Sequence, residues 1–151
     1  MTPVPSIRDA TVADTSVLAE IFRESALSVE LYRDALLGSP SSLEWQWPEL
    51  EARVRVIEDT RGLLGFLTVL LPVDEDAAEI DDLFIAPQVQ RGGLGRVLVE
   101  DAAALALEAG FRELVVIAGE AEPFYLRAGF GDAEPVYTAH APAVRLTRRL
   151  A

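Results

Sequence analysis

Glu79–Gly95, EIDDLFIAPQVQRGGLG, is the stretch from which the rest of this chain is read. A strand-like apolar run gives out before Pro87, a short polar turn follows, and Gly92, Gly93 and Gly95 lead into a helix. The spacing of Val97, Leu98, Ala102, Leu105 and Ala106 carries that helix to Ala109, with Gly110 in the position that ends it. Glycines remove the Cβ atoms that block close approach to the backbone. The first N–H groups of a helix have no partner within it and carry the positive end of its dipole. The stretch predicts an anion site suited to a diphosphate.

Upstream, RVRVIE from Arg53, a turn at 59–62 and LLGFLTVLL predict a hairpin that Pro72 and the acidic loop DED bring to an end. Further back lie a strand around Ile7 and a helix entered at Asp14, read as its N-cap, with Val17, Leu18, Ile21 and Phe22 on one face. A second helix is expected over 28–37, before the irregular SSLEWQWPEL. Downstream, ELVVIA reads as a short buried strand, PFYLRA as a brief helix, and PVYTA and AVRLTRRL as two closing strands. This order predicts an α/β fold in one domain over residues 1–151. Its sheet is mixed, mostly antiparallel and six- to seven-stranded, flanked by about four helices.

Composition narrows the chemistry. Cysteine and lysine are both absent and all thirteen basic residues are arginines. A thiol nucleophile, cysteine-ligated zinc, a Schiff-base lysine and a P-loop lysine are therefore excluded. A net charge of −12 argues against nucleic acid as a partner and for a cationic one, or serves solubility alone. No window has the apolar length of a membrane span, and MTPVPSIRDA lacks the basic and hydrophobic regions of a secretion signal; a cytoplasmic protein with no membrane partner is expected.

The glycine turn fails two familiar nucleotide motifs. Gly95 is followed by Arg96 and Val97 rather than Lys-Ser/Thr, and Leu98 stands where a dinucleotide fingerprint needs its third glycine. Gln-x-x-Gly-x-Gly does fit, as Gln90, Gly93 and Gly95, and it resembles the pyrophosphate loop of the GNAT superfamily of acyl-coenzyme A-dependent N-acyltransferases. The hairpin with Gly65-Phe66, the strand AEIDDLFIAP and the late AEPFYLRAGF resemble the same family, so the likeness spans nearly the whole chain. It departs at Glu120, where many relatives carry an asparagine that helps hold the cofactor.

The resemblance implies a GNAT fold, acetyl-CoA as acyl donor and no metal. It implies that main-chain groups of Leu83, Phe84 and Ile85 pair with the pantetheine arm. Gln90, Arg91, Gly92, Gly93, Leu94, Gly95 and Arg96 would surround the diphosphate, with Glu120 and Phe124 close by. Glu79, eleven residues before Gln90, matches the catalytic glutamate of the histone acetyltransferase branch, and Tyr125 matches the tyrosine that returns a proton to the thiolate. Asp81 is a second base candidate, because on an ideal strand it shares a face with Glu79 while Asp82 points away; a bulge changes that. These acids otherwise form a solvated strand end, and Tyr125 a core aromatic with Phe124 and Phe130. Trp45 and Trp47 either wall an acceptor pocket or pack on the sheet, and His140 reads as an exposed loop residue.

The expected function is transfer of an acetyl group to a primary amine of a small molecule or peptide. Direct attack is favoured by the missing cysteine, the commonest acyl-enzyme nucleophile. The alternatives are a non-catalytic acyl-CoA sensor of the same fold, a transferase acting on a hydroxyl or with a longer acyl group, and a binding module without a coenzyme A site. Pairing through the terminal strands into a homodimer is expected by analogy.

Overall fold

The computed structural model describes residues 4–28, 44–49, 51–90, 92–138 and 142–150. The helix expected over 28–37 falls, apart from Ser28, outside them, as do Arg91 and His140. Seven strands form one sheet: β1 (Ser6–Asp9), β2 (Ala52–Asp59), β3 (Gly62–Leu70), β4 (Ala77–Ile85), β5 (Glu113–Ala118), β6 (Gly131–Tyr137) and β7 (Pro142–Arg149). Their spatial order is β1-β2-β3-β4-β5-β7-β6, and every neighbouring pair is antiparallel except β4–β5. That parallel pair needs a crossover, which is the helix following the glycine turn. The expected mixed sheet holds, while the strand expected over 135–139 starts earlier, at Gly131, and ends at Tyr137.

Among the described residues three α-helices flank the sheet: α1 (Thr15–Ser28), α2 (Leu94–Glu108) and α3 (Glu122–Arg127). Helix α2 buries Leu94, Leu98, Val99, Ala102, Ala103 and Ala106 against Leu67, Val69, Ile80, Leu114, Val116 and Leu146. On the other face, Leu18 and Ile21 of α1 pack with Trp45, Val54, Val56 and Phe66, and Phe22 meets Phe84 edge to face at 5.1 Å. Val17 and Val97, expected on the buried faces, are 38% and 46% exposed at the helix margins. Asp14 is not the cap residue itself. It ends a 3-10 turn whose cap is Thr11, accepts the Thr11 N–H at 2.8 Å, and is gripped by Arg8. The Arg8 guanidinium draws its carboxyl down to about 2.

Each face of the sheet thus has its own helix and its own core. The two faces are used differently around β4.

Candidate functional site

Helix α2 begins with its donors exposed. Gly93, its N-cap, adopts φ +79°, a conformation that L side chains rarely take, and no side chain caps the first N–H groups. A Cβ on Gly93 would meet nothing within 4 Å, whereas one on Gly95 would press on Phe124 at 3.3 Å. The turn therefore opens outward at Gly93 and closes against a ring at Gly95. Beside it lies a cleft of about 500 Å³ lined by Leu83, Ile85, Val89, Gln90, Gly93, Leu94, Gly95, Arg96, Ala121, Phe124 and Arg127. Gly92 is exposed on the same turn.

Three of the lining residues, Val89, Ala121 and Arg127, escaped the sequence reading. Arg127 comes one helical turn after Phe124, and that spacing was the available signal. Arg96 donates to the Arg127 carbonyl at 2.9 Å, which ties the start of α2 to the end of α3. Glu120 is exposed, and its neighbour Ala121 rather than Glu120 itself lines the cleft. A larger hollow of about 610 Å³ lies at the far end of α2. It presents Glu51, Asp74 and Glu75, and an Arg53 already paired with Asp9, so it is a poor host for a diphosphate.

Strand β4 supplies the cleft's other wall. It pairs with β5 only over Ala77–Ile80, opposite Glu113–Val116, and then parts from it. The cause is local. Ile80 pairs with Val69 and Asp82 with Thr68, leaving Asp81 as an extra residue, and such a bulge bends a strand and turns it away from its neighbour. Beyond the bulge the Ala86 N–H donates to Leu64 of β3, so by alternation the peptide groups of Leu83 and Ile85 face the gap and those of Phe84 face β3. This corrects the expectation for Phe84, whose ring lies in the α1-side core and whose main chain is engaged by the sheet. The Ile85 carbonyl accepts from Ser25 Oγ at 3.0 Å and Gln90 Nε2 at 3.1 Å. Gln90 thus fastens the end of β4.

The same bulge corrects the placement of the acids. Asp81 is extruded to solvent, and Asp82 takes the face that Asp81 would have held on an ideal strand, the face of Glu79, Thr68 and Phe84. Asp82 Oδ2 accepts the Trp45 indole N–H at 3.1 Å, and burial holds its carboxyl above the ordinary range. Thr68 Oγ1, across the strand pair from it, is sealed from solvent without a well-formed hydrogen bond. Glu79 is half-buried, and its carboxyl is raised first by desolvation, then by Asp81. Both are carboxylates poised to hold a proton at a milder pH than free acids do.

Trp45 is buried and Trp47 donates to Thr15 Oγ1 at 2.9 Å, so both indoles are part of the packing that holds segment 44–49 on the sheet. Tyr125 is buried between Phe124 and Phe130, with ring centroids 5.0 and 5.5 Å away. Burial raises its phenol above the ordinary value, and its hydroxyl makes no hydrogen bond among the described residues.

The family description "Acetyltransferase (GNAT) domain" matches residues 51–131. No curated protein matches. Among solved structures, N-acetylglutamate synthase from Neisseria gonorrhoeae, complexed with coenzyme A and N-acetyl-glutamate, is 20% identical at a TM-score of 0.70. That likeness covers all of this chain but only 36% of the synthase. The PaiA N-acetyltransferase from Thermoplasma acidophilum in complex with coenzyme A is 18% identical at a TM-score of 0.73, covering 97% of this chain and 99% of that one. A GNAT family acetyltransferase from Elizabethkingia anophelis with acetyl-CoA bound is 20% identical at 0.66, covering 97% and 98%. At these identities the likenesses establish the fold.

Proposed function

This chain belongs to the GNAT acetyltransferase family, whose domain it matches over more than half its length, and on that premise we propose that it moves an acetyl group from acetyl-CoA to a primary amine. The acceptor is a small molecule or peptide, and the amine attacks directly within a ternary complex. The observation that carries the reading is the main-chain edge of Leu83 and Ile85 that β5 leaves without a strand partner, facing a cleft that runs to the uncapped start of α2; only the Ile85 carbonyl on it is taken, by Ser25 and Gln90. An extended amide-bearing arm satisfies such an edge as an added strand would, and a diphosphate suits the free N–H groups of the glycine turn. Gly93, which leaves open space, and Arg96 and Arg127, which bring positive charge to the same wall, fit that cargo.

Glu79, acting through water, takes the proton whose loss turns the ammonium into a nucleophilic amine; Asp81, the bulged residue, acts on Glu79 through its charge. The amine nitrogen bonds to the thioester carbon and the carbon–sulfur bond breaks. A gap-facing N–H of Leu83 or Ile85 receives the developing oxyanion. Tyr125, held protonated by burial, returns a proton to the thiolate.

The test is calorimetry with acetyl-CoA on the native protein and on Gly93→Asp, followed by acetyl transfer to an amine panel. Binding lost in the variant, together with turnover, is the expected result. Binding without turnover on any amine indicates an acyl-CoA sensor instead, and absence of binding by the native protein overturns the reading.

A further inference from the structure

On the α1 side of the sheet, just short of the place where β4 and β5 part, Glu79, Val115 and Thr147 form one rung. Two residues further toward the parting, Ile117 pairs with Arg145. Leu146 belongs to the α2-side core and Arg148 reaches Glu100 of α2, so the alternation of β7 puts Arg145 on the face of Glu79.

Arg145 stands apart from the other arginines among the described residues. Arg8, Arg53, Arg55, Arg61 and Arg148 are ion-paired, and Arg96 holds a carbonyl. Arg23, Arg112, Arg127 and Arg149 have no side-chain hydrogen bond or ion pair among the described residues, and all four are exposed. Arg145 is likewise unpaired there, yet half-buried. Its charge acts on Glu79 across the gap without bonding to it, and a guanidinium that has given up part of its hydration without a hydrogen-bond acceptor is prepared for an anion from outside the chain.

The floor before it is equally unusual. Ile117 lies on β5, an interior strand, and is still 47% exposed. From the strand spacings, Glu79 and Arg145 stand about 12 Å apart at Cα, a span that their side chains shorten to that of a small molecule. A carboxylate stands at one end, an apolar floor in the middle and a guanidinium without a hydrogen bond or ion pair among the described residues at the other end, all beside the parting of the strands.

We propose that the acceptor is a free α-amino acid or a similarly short zwitterion. Its ammonium faces Glu79, its carboxylate is received by Arg145, and its side chain or methylenes lie on Ile117. The proposal rests on the transferase reading above and names its substrate class. It also revises what the net charge of the chain implied, since a polyamine would place its second ammonium against Arg145.

The experiment compares acetyl transfer to a panel of L-amino acids, their C-terminal amides and simple diamines, in the native protein, Arg145→Gln and Arg145→Lys. Free acids are expected to exceed their amides in kcat/KM by at least about tenfold, the scale of one charge-assisted hydrogen bond. Arg145→Gln should bring that ratio toward one through KM, and Arg145→Lys should restore part of it. Amides or diamines that serve as well as the acids, or a preference that survives Arg145→Gln, overturn the inference and leave the transferase standing. A native protein that does not bind acetyl-CoA overturns the transferase reading itself, and this proposal with it.

Discussion

The Trp45 indole donates its N–H to Asp82 Oδ2 at 3.1 Å, holding a mostly buried carboxylate with which no cation pairs among the described residues. The bulge at Asp81 makes this contact by turning Asp82 inward. Its carboxyl is raised from the ordinary 3.8, mainly by desolvation. An acid whose folded-state value is raised binds its proton more tightly when folded, so stability falls as pH rises from the unfolded value through the folded one. Asp82→Asn keeps an acceptor for Trp45 and removes the charge. It should gain on the order of 1 kcal/mol at pH 7, with the gain vanishing below the unfolded value; urea melts across pH check it.

Trp45→Phe removes the donor and leaves the charge, and should destabilise by about 1–3 kcal/mol. Combined with Asp82→Asn the loss should shrink, because the two residues share one interaction. Additive losses in the double-mutant cycle would count against the coupling.

Gly65 stands opposite Ile85, and a Cβ there would lie 2.7 Å from the Phe84 carbonyl oxygen and 2.6 Å from Ile85 Cδ1. Gly65→Ala must therefore push β4, the wall of the cleft. We expect about 1–3 kcal/mol of destabilisation and weaker acetyl-CoA binding by calorimetry. A variant that melts and binds like the native protein would show that the strand end yields freely.

Glu79 must be ionised to accept a proton, and burial and then Asp81 raise its carboxyl from 4.5. The acidic limb of kcat/KM should lie above that value. Asp81→Asn removes a neighbouring negative charge and should move the limb to lower pH, while Glu79→Gln should cost about a hundredfold or more in rate. A limb unmoved by Asp81→Asn would place the titrating group elsewhere.

Tyr125→Phe removes a hydroxyl that has no hydrogen-bond partner among the described residues, so stability should change by less than about 0.5 kcal/mol. If the phenol serves as acid, kcat should fall by about a hundredfold with KM for acetyl-CoA held. An unchanged kcat would make Tyr125 a core aromatic and nothing more.

Local patterns carried most of the fold. Strand alternation, the two-residue turn before Gly62, the helical spacing after Gly95 and the stop at Gly110 are short-range signals, and the elements they predict appear where the residues placed them. The glycine turn was legible for the same reason, since its conformation depends on consecutive residues. Phe84, Asp81 and Asp82 were less legible, because a bulge depends on how β4 meets β3 and leaves no mark in β4 alone.

The sequence by itself determined the chemistry on hand: carboxylates, phenols and arginines without cysteine or lysine, and a glycine turn that opens a helix. Only the tertiary structure decided which of the adjacent Asp81 and Asp82 turns inward, which peptide groups of β4 face the gap, and that Arg145, sixty-six residues from Glu79 in the chain, shares its face. Side-chain facing follows from residue-by-residue pairing across strands, and pairing is a property of the assembled sheet.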